Sequence, residues 1–217
     1  MSTSIYQWKV EQNINASQGF LSFQCGIPNL VDQIVQDLSR TGLPNMAEFA
    51  LNIIVDAPSG FAMTLLESGT PPSLETTIII TWSQCPEYWE DLWDHRPLGL
   101  IVSEYNLLST CLQSVVHKQR FRIPTTTTTS LTPTERRIFR LLSQGYTNSQ
   151  IAQALSMQCQ TIKNTLTTIY KKLDLHDRSD ALLYYWSVGP YQNLRDMLCT
   201  TFSTTPDYAH TTVCHRV

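Results

Sequence analysis

Apolar side chains recur at different periods in the two halves of this chain, and the change marks its organisation. In the second half the spacing is helical. Ile138, Leu141 and Leu142 make one apolar face, Ile151 and Leu155 a second. Ile162, Leu166, Ile169 and Leu173 make a third at i, i+4, i+7 and i+11, on a helix running from about Cys159 to Leu173. The boundaries are written in capping residues. Thr132-Pro133-Thr134-Glu135 reads as a capping box with proline at the first helical position, and Gly145 as the stop. Thr147 with Gln150 is a second box, and Asp177 caps a fourth helix opening at Ser179.

The first half reads differently. Leu51–Val55, Thr77–Thr81 and Leu98–Val102 are short, apolar, largely β-branched runs. Between and around them lie helical stripes. One spans Asn29–Ser39 through Val31, Ile34, Val35 and Leu38. Another spans Cys85–His95 with Pro86 near its start, and a third spans Tyr105–Lys118 through Leu107, Leu108, Cys111, Leu112, Val115 and Val116. Strands apolar on both sides, alternating with helices, predict an α/β fold: a parallel, doubly wound sheet covered on both faces. For the first strand, Ile5–Val10 and Phe20–Cys25 are equally good candidates. Pro124–Ser130 (PTTTTTS) has no apolar period and poor helix propensity, which suits an extended linker; an edge strand is the alternative. The expected organisation is an α/β domain over 1–123, a linker over 124–130, an all-α four-helix domain over 131–190 and a tail over 191–217.

Charge sharpens this division. Residues 1–130 carry six Lys/Arg against twelve Asp/Glu, a net of -6, whereas 131–186 carry seven against four, a net of +3. An acidic half joined to a basic module suits a protein of which only the second part meets phosphate. No apolar run approaches the roughly 18–20 residues that span a bilayer, and MSTSIYQWKV has no apolar export core. Six scattered cysteines (25, 85, 111, 159, 199, 214) with no C-x-x-C pair suit free thiols. The expectation is a cytoplasmic protein with no membrane contact. Cys199, His210, Cys214 and His215 match no zinc spacing, and with no catalytic triad or Gly-rich phosphate loop neither an enzyme nor a cofactor is expected.

The run 131–186 resembles the LuxR/NarL (GerE-type) helix-turn-helix family, which ends many bacterial response regulators. The resemblance rests on LTPTE at the start, QGYTNSQIAQAL in the middle, TIKNTLTTIYKKL in the third helix and DRSDAL opening the last. It implies double-stranded promoter DNA as partner, read in the major groove by helix 159–173. Lys163, Asn164 and Thr167 would face base edges; Gln158, Thr161, Lys171 and Lys172 would lie near backbone phosphates. It also implies a homodimer contact on the fourth helix through Leu182, Leu183, Tyr184 or Trp186, with half-sites about one helical turn apart. Two positions depart from the pattern: Gln158 stands at the usual Ser cap, and Thr165 where histidine is common.

The first half resembles a response-regulator receiver without its chemistry. Asp56 ends a strand where receivers keep their phosphoacceptor, and Thr81 falls at the switch hydroxyl. The acidic pair that holds Mg²⁺ is missing, since residues 1–31 contain only Glu11, and Ser103 stands at the lysine position. Asp56 is therefore expected to be a vestigial strand-end carboxylate, and regulation to be independent of phosphate. A conventional phospho-switch is the alternative. The aromatic cluster Trp82, Tyr88, Trp89 and Trp93 has two readings: packing between helix and sheet, or a surface for an unknown small ligand or protein partner.

Overall fold

The computed structural model describes residues 20–41, 50–68, 73–117, 119–126 and 129–187. Five parallel strands form one sheet: β1 (Phe20–Cys25), β2 (Ala50–Asp56), β3 (Thr77–Thr81), β4 (Gly99–Val102) and β5 (Phe121–Ile123). Helices α1 (Pro28–Thr41), α2 (Phe61–Leu66), α3 (Pro86–Asp94) and α4 (Leu108–Val116) connect them. The carboxy-terminal unit comprises α5 (Pro133–Ser143), α6 (Asn148–Ala154), α7 (Cys159–Leu173) and α8 (Arg178–Tyr185). The fold is thus a parallel α/β domain with helices on both faces of its sheet, followed by a helical helix-turn-helix unit.

Of the two candidates for the first strand, Phe20–Cys25 is β1; Ile5–Val10 lies outside the described residues, as does the cysteine- and histidine-bearing tail. Two elements were not predicted. β5 is three residues long, and α2 (FAMTLL) is too short and too uniformly apolar to show a helical period. Pro124–Ser130, immediately after β5, contains no helix or strand among its described residues.

The strands lie in chain order, β1-β2-β3-β4-β5. Ile53, Val55, Ile78, Ile80 and Ile101 meet α1 and α4 on one face, while Ile54, Ile79, Leu100 and Val102 meet α2 and α3 on the other. A receiver-type sheet instead places its first strand between the second and third.

The core does not stop at the sheet. Tyr88 and Leu92 of α3 are fully buried in one continuous apolar cluster with Ile138, Phe139, Leu142, Ile151, Ile162, Ile169 and Tyr185 of the helical unit. The two halves share an interior.

Candidate nucleic-acid interface

Local chemistry builds the helical unit as its sequence specifies. Thr132 Oγ1 accepts the Glu135 N–H (3.3 Å) while Glu135 Oε2 accepts the Thr132 N–H (2.7 Å). Thr147 and Gln150 repeat the arrangement at 3.3 and 2.8 Å. Both boxes satisfy orphan donors of a helix's first turn. Between α6 and α7 the chain turns at Ser156, in the left-handed region at φ 54°, and Met157 N–H returns to the Ala152 carbonyl at 2.9 Å. Asp177 caps α8 by accepting the N–H groups of Ser179 (2.7 Å) and Asp180 (2.9 Å). Arg178 donates to the carbonyls of Leu142 (3.2 Å) and Tyr146 (2.8 Å), closing the end of α5 with a cation where the helix dipole favours one.

These helices hold α7 by one stripe. Ile162, Leu166 and Ile169 are buried, Cys159, Tyr170 and Leu173 pack half-buried beside them, and most of the remaining side chains face outward. Gln158, Thr161, Lys163, Asn164, Thr167, Lys171 and Lys172 are all exposed, which gathers the seven predicted DNA-facing residues on one helix. They are not equally free. Thr167 Oγ1 donates to the Lys163 carbonyl (3.1 Å), and Gln160 Nε2 donates to Asn164 Oδ1 (3.0 Å). Lys172 is ion-paired with Glu135 at 2.7 Å and thereby joins the end of α7 to the start of α5. Burial alone would raise the Glu135 carboxyl, but Lys172 and the Thr132 donors together hold it below its ordinary value. Gln158 occupies the cap of α7 with no side-chain bond to the helix among the described residues, in keeping with its departure from serine.

The four α8 residues predicted for dimerisation are placed differently. Leu183 is 44% exposed and Leu182 half-buried. Tyr184 and Trp186 instead contact the rest of their own chain. Tyr184 Oη donates to Glu87 Oε2 (2.9 Å), and Trp186 Nε1 donates to the Ser143 carbonyl (2.9 Å) while its ring meets Tyr88 edge-on at 5.8 Å. Between them Tyr185 is fully buried and donates to Asp91 Oδ2 at 2.7 Å. Asp91 also pairs with Arg136 at 3.2 Å. Burial pushes the Asp91 carboxyl up to about 6, against the lowering pull of Tyr185 and the neighbouring arginines. None of Glu87, Asp91, Arg136 and Tyr185 was singled out from sequence, because their partners lie 42 to 97 positions away.

Asp56 and Thr81 do come together. Asp56 is 2% exposed and accepts from Ala62 N–H (2.8 Å), Thr81 Oγ1 (2.8 Å) and Tyr88 Oη (2.9 Å). Burial raises its carboxyl, and those donors oppose the rise. Asp56 serves the start of α2 and holds Tyr88. The other aromatics pack as well: Trp82 is buried, Trp89 Nε1 donates to the Ser83 carbonyl at 2.8 Å, and Arg120 stacks 3.9 Å over the Trp93 ring. No group of three or more His, Cys, Asp or Glu close enough to hold a metal occurs among the described residues. None of their helices is long and apolar enough to cross a membrane.

Four short helices, three of them with side-chain caps and with a turn between the second and third, define a helix-turn-helix domain. The family described as bacterial regulatory proteins, luxR family, matches residues 129–185. A putative HTH-type transcriptional regulator of Mycobacterium tuberculosis is 47% identical over 49 residues, covering 23% of this chain and 6% of that protein. The transcriptional regulatory protein LiaR of Bacillus subtilis is 40% identical over 55 residues, covering 25% and 26%. The matched part is thus about a quarter or less of these relatives' length. A solved structure of RcsB from Salmonella enterica serovar Typhimurium bound to promoter rprA covers 79% of this chain and all of that one, at 16% identity and a TM-score of 0.44. Residues 129–185 are thus similar to the luxR family of bacterial regulatory proteins.

Proposed function

We propose that the chain is a DNA-binding transcriptional regulator that lays α7 in the major groove of promoter DNA. The observation that carries this reading is the face of α7. One apolar stripe seats the helix, while Lys163, Asn164 and Thr167 stand in solvent midway along it and Gln158, Thr161 and Lys171 flank them. Side chains of these types supply donors and acceptors to base edges and contacts to phosphates. Lys172 reaches a phosphate only by leaving Glu135, so its contribution is smaller than that of Lys171. The test is a selection of duplexes from a random-sequence pool, followed by titration of the selected duplex at several salt concentrations. Specific binding whose affinity falls steeply with salt is expected; no enrichment of any sequence would refute the reading.

Regulation on this reading does not use phosphate. Asp56 is enclosed, its oxygens are engaged by three donors, and the carboxylate pair of a Mg²⁺ cage is missing from the start of the sequence. Incubation with acetyl phosphate and Mg²⁺ should leave the mass unchanged. Stoichiometric phosphorylation at Asp56 would establish the conventional phospho-switch instead.

A further inference from the structure

The buried stripe of α7 fixes which of its side chains stand farthest from the protein. Opposite Ile162, Leu166 and Ile169, on a helix of about 3.6 residues per turn, lie Gln160, Asn164, Thr167, Thr168 and Lys171, all exposed. Gln160 and Thr168 are absent from the base-reading set that the family resemblance supplies. Several of these side chains are already held. Gln160 Nε2 donates to Asn164 Oδ1 at 3.0 Å, one helical turn along. That bond ties two flexible amides into one unit and leaves over the Asn164 Nδ2 donors and the Gln160 Oε1 acceptor. Turning both amides round leaves the same pair, one donor beside one acceptor. Thr165, Thr167 and Thr168 donate their hydroxyl hydrogens four residues back, to the carbonyls of Thr161 (2.9 Å), Lys163 (3.1 Å) and Asn164 (3.2 Å). A hydroxyl turned onto its own helix has no hydrogen left for a base. At the exposed Thr167 and Thr168, the methyl is then the group left to meet a partner.

We infer that this stripe reads adjacent A·T pairs: the Gln160–Asn164 amide pair takes the edge of an adenine, and the methyls of Thr167 and Thr168 take thymine methyls beside it. Adenine shows the major groove an N7 acceptor next to an N6 donor, which complements one free amide donor beside one free acceptor; thymine shows its C5 methyl. Asn164 and Thr168 are separated by about 6 Å of helix rise, so their contacts fall on neighbouring base pairs. G·C pairs suit this face poorly. Guanine is best met by the fork of an arginine and cytosine by a carboxylate, and α7 carries neither. Gln160 offers the acceptor and also holds Asn164 in place before DNA arrives, so less side-chain freedom is lost on binding. This assignment rests on the DNA-binding reading and names the base pairs that α7 meets in the groove.

Chemically altered versions of the duplex selected by the full chain test it. A·T pairs should recur at the same positions in the enriched sequences. Uracil in place of thymine removes only the methyl, and at those positions it should weaken binding in a gel-shift titration at fixed salt by about fourfold per methyl. Thr167→Ser combined with Thr168→Ser should bind the thymine and uracil duplexes equally, whereas Thr168→Val should keep the difference. 7-Deazaadenine in place of the contacted adenine removes the N7 acceptor and should cost the parent chain about fivefold or more. Gln160→Ala combined with Asn164→Ala should lose that discrimination, with the thermal midpoint unchanged. Enriched duplexes with no shared A·T pair, equal binding of thymine and uracil by the parent chain, or a uracil effect that persists in the double serine variant would each overturn the inference and leave the DNA-binding reading standing. Enrichment of no duplex at all would remove both.

Discussion

Helices α7 and α8 are neighbours in one small domain and are used in opposite ways. α7 is amphipathic in the ordinary sense: one buried stripe edged by half-buried Cys159, Tyr170 and Leu173, with an opposite face that is polar and in solvent. α8 ends in LLYYW, apolar around most of its circumference, and it is buried on two sides, against α5 and against the α/β domain. A helix apolar all round needs more than one partner. The family resemblance places a contact with another copy on α8; in the structure Tyr184 and Trp186 pack against their own chain, while Leu183 is exposed. A functional surface carried over by position is therefore left free where side chains point away from the protein, as on α7. It has to be checked wherever they are apolar enough to pack against something nearer.

The sharpest way to break this contrast is through the shared interior. Phe139 of α5 is fully buried and touches Tyr185 edge-on at 5.5 Å. Phe139→Ala should cost about 3–5 kcal/mol, and in urea both halves should lose structure in one transition. An α/β domain that unfolds at its original midpoint in that variant would show the joint to be superficial.

Asp91 gives the next largest effect. Its folded-state value of about 6 exceeds the ordinary 3.8, so the folded chain binds more protons than the unfolded one between those values. Stability from this group is present in full below about pH 4 and is lost as pH rises toward 6, by at most about 3 kcal/mol. Asp91→Asn should remove that slope, seen as the difference between the two proteins' urea midpoints over pH 4 to 7. Parallel profiles would show that Asp91 ionises normally and that the joint is wetter than its geometry implies.

On the α7 side the effects belong to binding and not to folding. Lys163→Ala should weaken the selected duplex by about 1–3 kcal/mol if Lys163 reads a base, with no change in thermal midpoint. Unaltered affinity would take Lys163 off the reading surface. The smallest effect expected is a gain: Gln158→Ser supplies the missing cap of α7 and should raise stability by about 0.5–1 kcal/mol. A neutral or negative result would mean that the first turn of α7 is satisfied in another way.

Much of this was legible beforehand because it is local. Both capping boxes, the Asp177 cap, the apolar stripe of α7 and the outward polar residues depend on neighbours within one or two turns. Strands β2, β3 and β4 could be read because a run buried on both faces must be apolar throughout. Asp56 was located at a strand end, but its three donors come from α2, β3 and α3, which no spacing in the chain announces. β5 and α2 are too short to carry a period, and the chain-order sheet arises from long-range pairing.

The sequence by itself therefore determined the helix-turn-helix unit and the side chains that α7 offers to solvent, since propensity, capping and periodicity act over a few residues. Only the tertiary structure decided what the end of α8 packs against. Glu87, Asp91, Arg136, Tyr184 and Tyr185 are ordinary residues wherever they stand in the chain. They become a joint because folding brings them into one dehydrated place, where each carboxylate must find its donors and each ring its neighbour.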